Sequence, residues 1–262
     1  MGRIRGGKVE GSLLLHHLSL EAKGLEEEAY SRGFRCIAGL DEVGRGTWAG
    51  PVVAAAVVLP PGISNPGIKD SKLLTPRKRE TLAPWIKEKA VTWGLGVVGS
   101  EEIDRMNILN ASLLAMAHAF LQLKPVPDYL LIDGPHKIPL DFLKTEGGKQ
   151  QKTSVNLDPH VFSLTAHALP FQRAIKKGDG LCLSIAAASI VAKAARDQMM
   201  VEYDRTYPEY GFGRHKGYGS PLHLATLSRY GPSPIHRRSF KPVRQYLADV
   251  DEVGPASLFR QG

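Results

Sequence analysis

Length, composition and charge narrow the class of protein before any motif is considered. The chain has 262 residues, 43% hydrophobic and 23% charged, which suits one large folded domain and excludes a disordered or fibrous chain. Its 34 Lys and Arg outnumber its 26 Asp and Glu, and the net charge of +8 favours an anionic partner, nucleic acid before a membrane surface. Two cysteines, Cys36 and Cys182, are too few for a disulfide framework, and no apolar run approaches the roughly 20 residues that span a bilayer. We therefore expect a cytoplasmic protein without a membrane segment, and we expect a monomer.

Hydrophobic runs and their boundary residues predict the elements of the N-terminal half. Short apolar runs bounded by Gly and Pro are typical of buried strands, whereas Thr75 followed by Pro76 is typical of a helix start. In chain order we expect a loose leader over 1–17, a helix over 18–32, strands over 37–40 and 52–59, a helix from Thr75 to about residue 89, a strand over 92–99, and a helix from Ser100 to about Leu123.

The C-terminal half predicts fewer strands and more helix. We expect a strand over 128–133, a polar and weakly periodic stretch over 134–170, a strand over 173–179, a helix over 184–199, and further helices from about residue 200. Early strands with short links indicate antiparallel pairing, and later strands that alternate with helices indicate parallel pairing. The pattern predicts an α/β fold with a mixed sheet between helices. Its core spans 18–200, and a C-terminal helical region spans 201–262.

Acidic residues stand at the ends of two predicted core strands. Asp41 and Glu42 follow one apolar run, and Asp133 follows another. An acid next to a buried strand is costly to desolvate unless a partner compensates its charge, although any one of them could be a turn residue or a helix cap. Three such acids at one sheet edge would form a hard-oxygen site that suits Mg²⁺ or Mn²⁺, and on a basic protein this indicates phosphodiester chemistry.

A glycine-flanked arginine follows the first two acids directly. In Gly44-Arg45-Gly46, glycines would let the backbone approach a polymer closely, and Arg45 could reach a phosphate. Such a tripeptide alone is usually only a turn, so its position next to the acids is what favours a functional role.

Several long segments, in order, resemble ribonuclease HII. They run over nearly the whole chain: IAGLDEVGRGTWAGPVVAAAVVLP (37–60), KDSKLL (69–74), LLIDG (130–134), IKKGD (175–179), SIAAASIVAKAARD (184–197) and YGFGRHKGYGSPLHLATLSRYGPSPIHRRSF (210–240). The resemblance implies a ribonuclease H-like fold and an endonuclease that uses Mn²⁺ or Mg²⁺. Such an enzyme would cut the RNA strand of RNA–DNA hybrids. It would also cut DNA duplexes on the 5′ side of an embedded ribonucleotide, leaving 3′-hydroxyl and 5′-phosphate ends.

The same resemblance implies roles for individual residues. The catalytic and metal-binding acids would be Asp41, Glu42, Asp133 and Asp179. Gly44, Arg45 and Gly46 would form the loop that recognises the 2′-hydroxyl, and Tyr218 would stack on the sugar of the following deoxynucleotide. Lys72, Lys193 and Arg196 lie in segments that resemble substrate-facing parts of the family, but they fit equally well as solvated surface charges.

Two departures from the family pattern stand out. Thr47 and Trp48 occupy positions where Pro and Leu are usual, and packing is the favoured role for Trp48. An insertion is also expected within 140–172, because Asp133 and Asp179 are farther apart than in relatives. Asp141 and Asp158 compete with Asp179 for the fourth acid but lack the KKGD context. The SLF at 257–259 is too short to indicate a sliding-clamp motif.

Other functions are compatible with parts of the pattern. Ribonuclease HIII, a junction resolvase or an integrase-like nuclease would share the fold, but an HIII-type enzyme would need an extra N-terminal domain and usually has Lys where Arg45 stands. A non-catalytic nucleic-acid-binding protein is disfavoured because its acids would repel phosphate. No partnered nucleophile motif supports Ser/His/Asp hydrolysis.

Overall fold

A computed structural model describes residues 24–143 and 169–247. Strands are β1 (Ile37–Val43), β2 (Val52–Val58), β3 (Thr92–Val98), β4 (Tyr129–Asp133) and β5 (Phe171–Ile175). Helices are α1 (24–31), α2 (Pro76–Lys89), α3 (Ser100–Met106), α4 (Ile108–Phe120), α5 (Leu140–Leu143), α6 (Leu183–Thr206), α7 (Phe212–His215), α8 (Pro221–Tyr230) and α9 (Lys241–Arg244). Two single 3₁₀ turns, Ser71–Leu73 and Gly178–Gly180, complete the description.

The five strands form one mixed sheet in the order β3-β2-β1-β4-β5. β1, β2 and β3 pair antiparallel, whereas β4 and β5 run parallel to β1. The predicted combination of an antiparallel and a parallel part is confirmed. Because β1, β4 and β5 are parallel, their carboxyl ends lie at the same edge of the sheet.

Helices cover both faces of the sheet, and each face has its own apolar core. α4 packs on one face with side chains such as Leu114, Met116 and Phe120, and α2 and α6 pack on the other with Ile86, Ile190 and Val191. Every residue of β2 is buried, as expected for a strand covered on both faces. α6 approaches β1 closely because Gly39 has no side chain. A Cβ on Gly39 would lie 2.1 Å from the Ser184 carbonyl carbon. Among the described helices, none is long and apolar enough to cross a membrane.

Several predicted boundaries are wrong, and each has a local cause. The helix expected from Ser100 to Leu123 is divided at Asn107, whose φ of +70° interrupts the helical backbone. The Asn107 side chain then accepts the N–H groups of Leu109 and Asn110, so it caps the second helix. β1 extends through Asp41 and Glu42, and these acids therefore belong to the strand rather than follow it.

The end of the sheet also differs from expectation. β5 lies over Phe171–Ile175 instead of 173–179, because Lys177 has a left-handed φ of +58° and Gly178 begins a 3₁₀ turn. α6 is longer than the predicted 184–199. The leader, the first residues of the helix predicted over 18–32, most of the proposed insertion, Asp158 and the SLF tripeptide lie outside the described residues.

Candidate active site

Two acids lie side by side at the carboxyl edge of the parallel strands. Leu40 on β1 pairs with Ile132 on β4, and Asp41 and Asp133 are the next residues on each strand. Neighbouring strands are about 4.8 Å apart, so the two carboxylates are adjacent on the face that α6 covers. The Ser189 hydroxyl on α6 lies beside the Asp41 carboxylate, where it partly offsets the rise in the pKa of Asp41, and it is 2.8 Å from the Ser71 hydroxyl.

Asp179 joins this pair from the turn after β5. The 3₁₀ turn at Gly178 is anchored by its N–H group, which donates to Asp133 Oδ1 at 2.6 Å. Asp179 is buried, and its Oδ2 lies 3.2 Å from the ammonium of Lys72, a side chain that is 78% exposed. Both side chains predicted from the resemblance therefore lie at the acidic edge, Lys72 as the ion-pair partner of Asp179.

Glu42 is held on one side only. Arg45 Nη1 donates to Glu42 Oε1 at 3.1 Å, and Arg45 is partly exposed on the loop that follows. The second oxygen, Oε2, is buried and has no hydrogen-bond partner in the described part of the chain. A buried carboxylate oxygen without a partner is costly, and this one is available to a ligand.

Burial and mutual repulsion raise the pKa values of three of the acids. Burial, followed by the charges of Glu42 and Asp133, raises the pKa of Asp41 well above its ordinary value. Burial also raises the pKa of Glu42 against the opposing effect of Arg45, and burial and Asp179 raise the pKa of Asp133. The cluster therefore lacks enough positive charge of its own.

The chemistry of this donor set fits a hard divalent cation. Carboxylate oxygens are the ligands that Mg²⁺ and Mn²⁺ prefer, and four side chains supply them here: Asp41, Glu42, Asp133 and Asp179. Among the described residues, Glu42 Oε2 has no hydrogen-bond partner that would compete with a metal ion. Within 24–143 and 169–247, no group of three or more acidic, His or Cys side chains is already arranged to hold a metal ion. In this arrangement the carboxylates face Lys72, Arg45 and backbone N–H groups.

The Gly44–Gly46 loop beside the acids packs against the buried side chain of Arg196. Gly44 has a φ of +92°, and a Cβ there would lie 2.3 Å from Arg196 Nε, so both the conformation and the packing require glycine. Gly46 has open space around it. Arg196 was expected either to face substrate or to be a solvated surface charge, but it is fully buried beneath the loop, so both expectations are corrected.

Lys193 does not reach the acidic edge either. Its ammonium pairs with Asp197 one turn along α6, and burial lowers the pKa of Lys193. Arg79 of α2 lies 3.8 Å from the same Asp197 and donates to the carbonyls of Ser71 and Leu74. This group holds the turn that carries Lys72.

Tyr218 lies on the turn between α7 and α8 and is 44% exposed. Its carbonyl faces inward and lies 2.9 Å from His223 Nδ1, and His223 Nε2 is 3.0 Å from His236 Nε2. Trp48 packs on His223, with ring centroids 5.2 Å apart, and a Cβ on Gly219 would lie 2.2 Å from its ring. Trp48 thus has the packing role that was favoured for it, against the Tyr218 turn.

Sequence reasoning missed three supporting residues. Arg237 is fully buried and donates to carbonyls of the glycine loop, while Ser71 and Ser189 connect the Lys72 turn to Asp41. All three lie inside segments that carry the resemblance, so their position was a signal. Nothing in the sequence, however, distinguishes Arg237 from its neighbour Arg238, whose side chain is not buried.

Comparison with known proteins assigns this arrangement to a family. The family model "Ribonuclease HII" matches residues 38–243. Ribonuclease HII of Geobacter sulfurreducens is 47% identical over 224 residues, which cover 86% of this chain and 90% of that protein. The ribonuclease H2 structure from Pyrococcus horikoshii superposes with a TM-score of 0.62 at 26% identity, covering 82% of this chain and 98% of that one.

A more distant structure shares the fold alone. Bst-RNase HIII in complex with Mn²⁺ superposes with a TM-score of 0.54 at 19% identity, covering 83% of this chain and 71% of that one. The family match and the close sequence relatives together cover the acids, the glycine loop and the tyrosine turn. The chain belongs to the ribonuclease HII family and is a type 2 ribonuclease H, an endonuclease for RNA–DNA hybrids.

Proposed function

We propose that this enzyme cuts duplex DNA on the 5′ side of a single embedded ribonucleotide, as well as RNA in continuous hybrids, by metal-assisted hydrolysis. The observation that carries the proposal is the carboxylate edge: Asp41 and Asp133 on adjacent parallel strands, with Asp179 beside them and an unpartnered Glu42 oxygen. A phosphodiester brought to such an edge needs positive charge, which the acids themselves cannot supply.

Four acids would hold the divalent ion, namely Asp41, Glu42, Asp133 and Asp179. When bound, Mg²⁺ or Mn²⁺ would lower the pKa of a coordinated water and neutralise charge on the oxygens of the scissile phosphate. The Glu42 N–H donates to Asp41 Oδ1 and the Gly178 N–H donates to Asp133 Oδ1, so both carboxylates are fixed at one oxygen. Lys72 is exposed enough for its ammonium to exchange Asp179 for a substrate phosphate.

Discrimination of ribose from deoxyribose requires a contact to the 2′-hydroxyl. The Gly44–Gly46 loop begins two residues after Glu42, and a Cβ placed on Gly46 would meet no other atom within 4 Å, which leaves room for a sugar. Arg45 is exposed beside Glu42 and can contact a phosphate. Tyr218, which faces outward, would stack on the deoxyribose that follows the ribonucleotide.

The experiment is cleavage of three labelled duplexes that contain one, four or no ribonucleotides, each assayed with Mg²⁺, with Mn²⁺ and with EDTA. We expect cleavage of the first two duplexes in the presence of either metal, with the single-ribonucleotide duplex cut on its 5′ side. Cleavage of the four-ribonucleotide duplex alone would contradict the junction activity. Products with 5′-hydroxyl ends would contradict the proposed chemistry. Cytoplasmic location and the monomeric state stay predictions.

A further inference from the structure

Two arginines without any exposed surface lie under the loop and the tyrosine turn. Arg196 comes from α6 and Arg237 from the segment between α8 and α9, and both have a relative exposure of 0%. Arginine is rarely buried so completely, because removing its charge from water is costly unless every donor is satisfied. The described hydrogen-bond partners of both guanidinium groups are backbone carbonyls and one hydroxyl, so these cations bind backbone oxygens rather than a carboxylate.

Arg237 binds the carbonyls of the loop itself. Its Nη2 donates to Gly44 O at 2.6 Å and its Nη1 to Arg45 O at 2.9 Å, while Nε and Nη2 both donate to Gly50 O. In a trans peptide, the carbonyl of one residue and the N–H of the next point in opposite directions. With the Gly44 and Arg45 carbonyls directed at Arg237, the N–H groups of Arg45 and Gly46 are directed away from it, towards the open side of the loop.

Arg196 connects the loop to the tyrosine turn. Nε donates to Pro51 O at 2.9 Å, and Nη2 donates to Ala49 O at 3.1 Å and to Thr47 Oγ1 at 2.9 Å. Nη1 donates to Lys216 O at 2.9 Å, two residues before the tyrosine. The planar Arg196 guanidinium therefore fixes the distance between the glycine loop and the Tyr218 turn. These two elements would contact the ribose and the deoxyribose that follows it.

Thr47 links the two arginines through one hydroxyl. Its Oγ1 accepts from Arg196 and donates to Gly44 O at 3.0 Å, the same carbonyl that Arg237 binds. Thr47 is fully buried and is one of the two positions at which this chain departs from the family pattern. A proline there could not make this bridge, so the connection belongs to this sequence.

We propose that Arg237, Arg196 and Thr47 are positioning residues for ribonucleotide recognition, which set the peptide orientation of the Gly44–Gly46 loop and its distance from Tyr218 without touching substrate. The inference rests on the proposed function, because it assumes that the loop recognises the 2′-hydroxyl. It adds that recognition depends on a buried set of side chains, and that a rotated Gly44 or Arg45 peptide would present a carbonyl where an N–H is needed.

The test uses Thr47→Val and Thr47→Ser in the full-length enzyme. Valine has nearly the same shape as threonine but lacks the hydroxyl, whereas serine retains it. Two quantities are measured: kcat/KM for a duplex with one ribonucleotide, and the inhibition constant of the same duplex without a ribonucleotide, which binds through its phosphates. Thr47→Val removes two hydrogen bonds, but Gly44 O keeps its bond from Arg237 and Arg196 Nη2 keeps its bond to Ala49 O. We therefore expect kcat/KM to fall by about 3- to 10-fold and the inhibition constant to stay unchanged. Thr47→Ser should restore the rate.

Arg237→Lys tests the positioning residue that binds three carbonyls of the loop and its flank. Lysine retains the charge but cannot reach three carbonyls with a planar group, and we expect a loss of about 10- to 100-fold in kcat/KM. Ser112→Ala is the matched control, because Ser112 is a buried hydroxyl that donates to a backbone carbonyl in α4, on the opposite face of the sheet. It should leave both quantities unchanged.

The outcomes separate this inference from the proposed function. If the unmodified enzyme fails to cut the one-ribonucleotide duplex, the proposed function is wrong. If it cuts that duplex and folded Thr47→Val retains full kcat/KM, or if Thr47→Val weakens both duplexes equally, the positioning role is wrong. The Thr47 pair decides the matter even if Arg237→Lys does not fold.

Discussion

The carboxylate edge and the buried arginine pair are two charged regions that both adjoin the Gly44–Gly46 loop, and their charges are compensated in opposite ways. Arg196 and Arg237 are fully buried, and their donors are directed at protein oxygens at hydrogen-bond distance. The acids at the sheet edge repel one another, rely on the exposed Lys72 and Arg45 for compensation, and leave Glu42 Oε2 without a partner among the described residues.

The difference shows that burial of a charge does not by itself indicate function. A buried ion whose donors or acceptors are all engaged holds its surroundings in place, and its removal damages the fold. A buried ion with a free oxygen and like-charged neighbours is destabilising until a ligand of opposite charge arrives. The acids therefore act in ligand binding, and the arginines hold the Gly44–Gly46 loop in place.

The largest expected effect comes from Asp133→Asn. The variant keeps the shape of the side chain, and its amide can still accept the Gly178 N–H, but it lacks the negative charge needed beside the ion. We expect cleavage to fall to the assay background at saturating Mg²⁺ while the circular dichroism spectrum is unchanged. Asp128→Asn is the control at the other end of the same strand, where Asp128 accepts the N–H groups of Arg35 and Cys36, and it should keep its activity. Near-normal turnover of Asp133→Asn would remove the carboxylate edge from the mechanism.

The sequence predicts the architecture well because hydrophobic period and strand order are local properties. The buried run 52–59 and the small-residue segment 184–199 appear where they were expected, with boundaries that differ by a few residues. The break at Asn107 was not predicted, since an isolated asparagine in an apolar helical pattern gives no sign that its φ is positive. The shift of β5 has the same origin at Lys177.

The site was predictable only in part. The positions of Asp41, Glu42 and Asp133 follow from strand ends alone, whereas Asp179 and Tyr218 came from the resemblance. The burial of Arg196 could not be predicted, because a charge on a helix face has the same sequence pattern whether it meets water or a loop from elsewhere in the chain. Its partners at 47–51 are about 150 residues away in sequence, and such tertiary contacts leave no local signal.

Stability without metal offers a second way to separate the two regions. Arg196→Met should destabilise the protein by about 3 kcal/mol or more, because it leaves several buried carbonyls without donors. Asp41→Asn should do the reverse, since it removes one charge from a repelling cluster, and a gain of about 1 kcal/mol would raise Tm by roughly 2–4 °C. Thermal melts in EDTA measure both. If both substitutions lower Tm equally, the acids are structural like the arginines.

Tyr218→Ala should have a smaller effect that depends on the substrate. The loss of a stacking contact that contributes about 1–3 kcal/mol of binding free energy should lower the rate at a single-ribonucleotide junction by roughly 10- to 100-fold. A continuous hybrid should lose less, because it offers no deoxyribose for the ring. Tyr230→Ala is the control, an equally exposed tyrosine at the end of α8. Equal losses on both substrates, accompanied by a lower Tm, would assign Tyr218 to packing of the C-terminal helices.

The smallest effect concerns a third buried cluster, the neutral histidines behind Tyr218. Burial lowers the pKa of His223 to about 4, and burial and His223 lower that of His236 to about 3. The hydrogen bonds agree with neutral rings, because His236 Nδ1 accepts the Ser233 N–H and leaves Nε2 to donate to His223. In the unfolded chain both rings take up a proton near pH 6.5, whereas the folded protein resists it.

Stability should therefore fall as pH drops from 6.5 towards 4, by at most about 1.4 kcal/mol per pH unit for each histidine. The acids have the opposite sign, because their raised pKa values favour proton uptake by the folded state, so the wild-type profile alone mixes the two clusters. Urea unfolding of His236→Asn at pH 7 and pH 5.5 isolates the histidine part. Asparagine can accept the Ser233 N–H but does not titrate, and the loss of stability between these pH values should become smaller. His136→Gln, at an exposed histidine, should retain the wild-type slope. An unchanged slope in His236→Asn would mean that protonation of His236 does not destabilise the folded state.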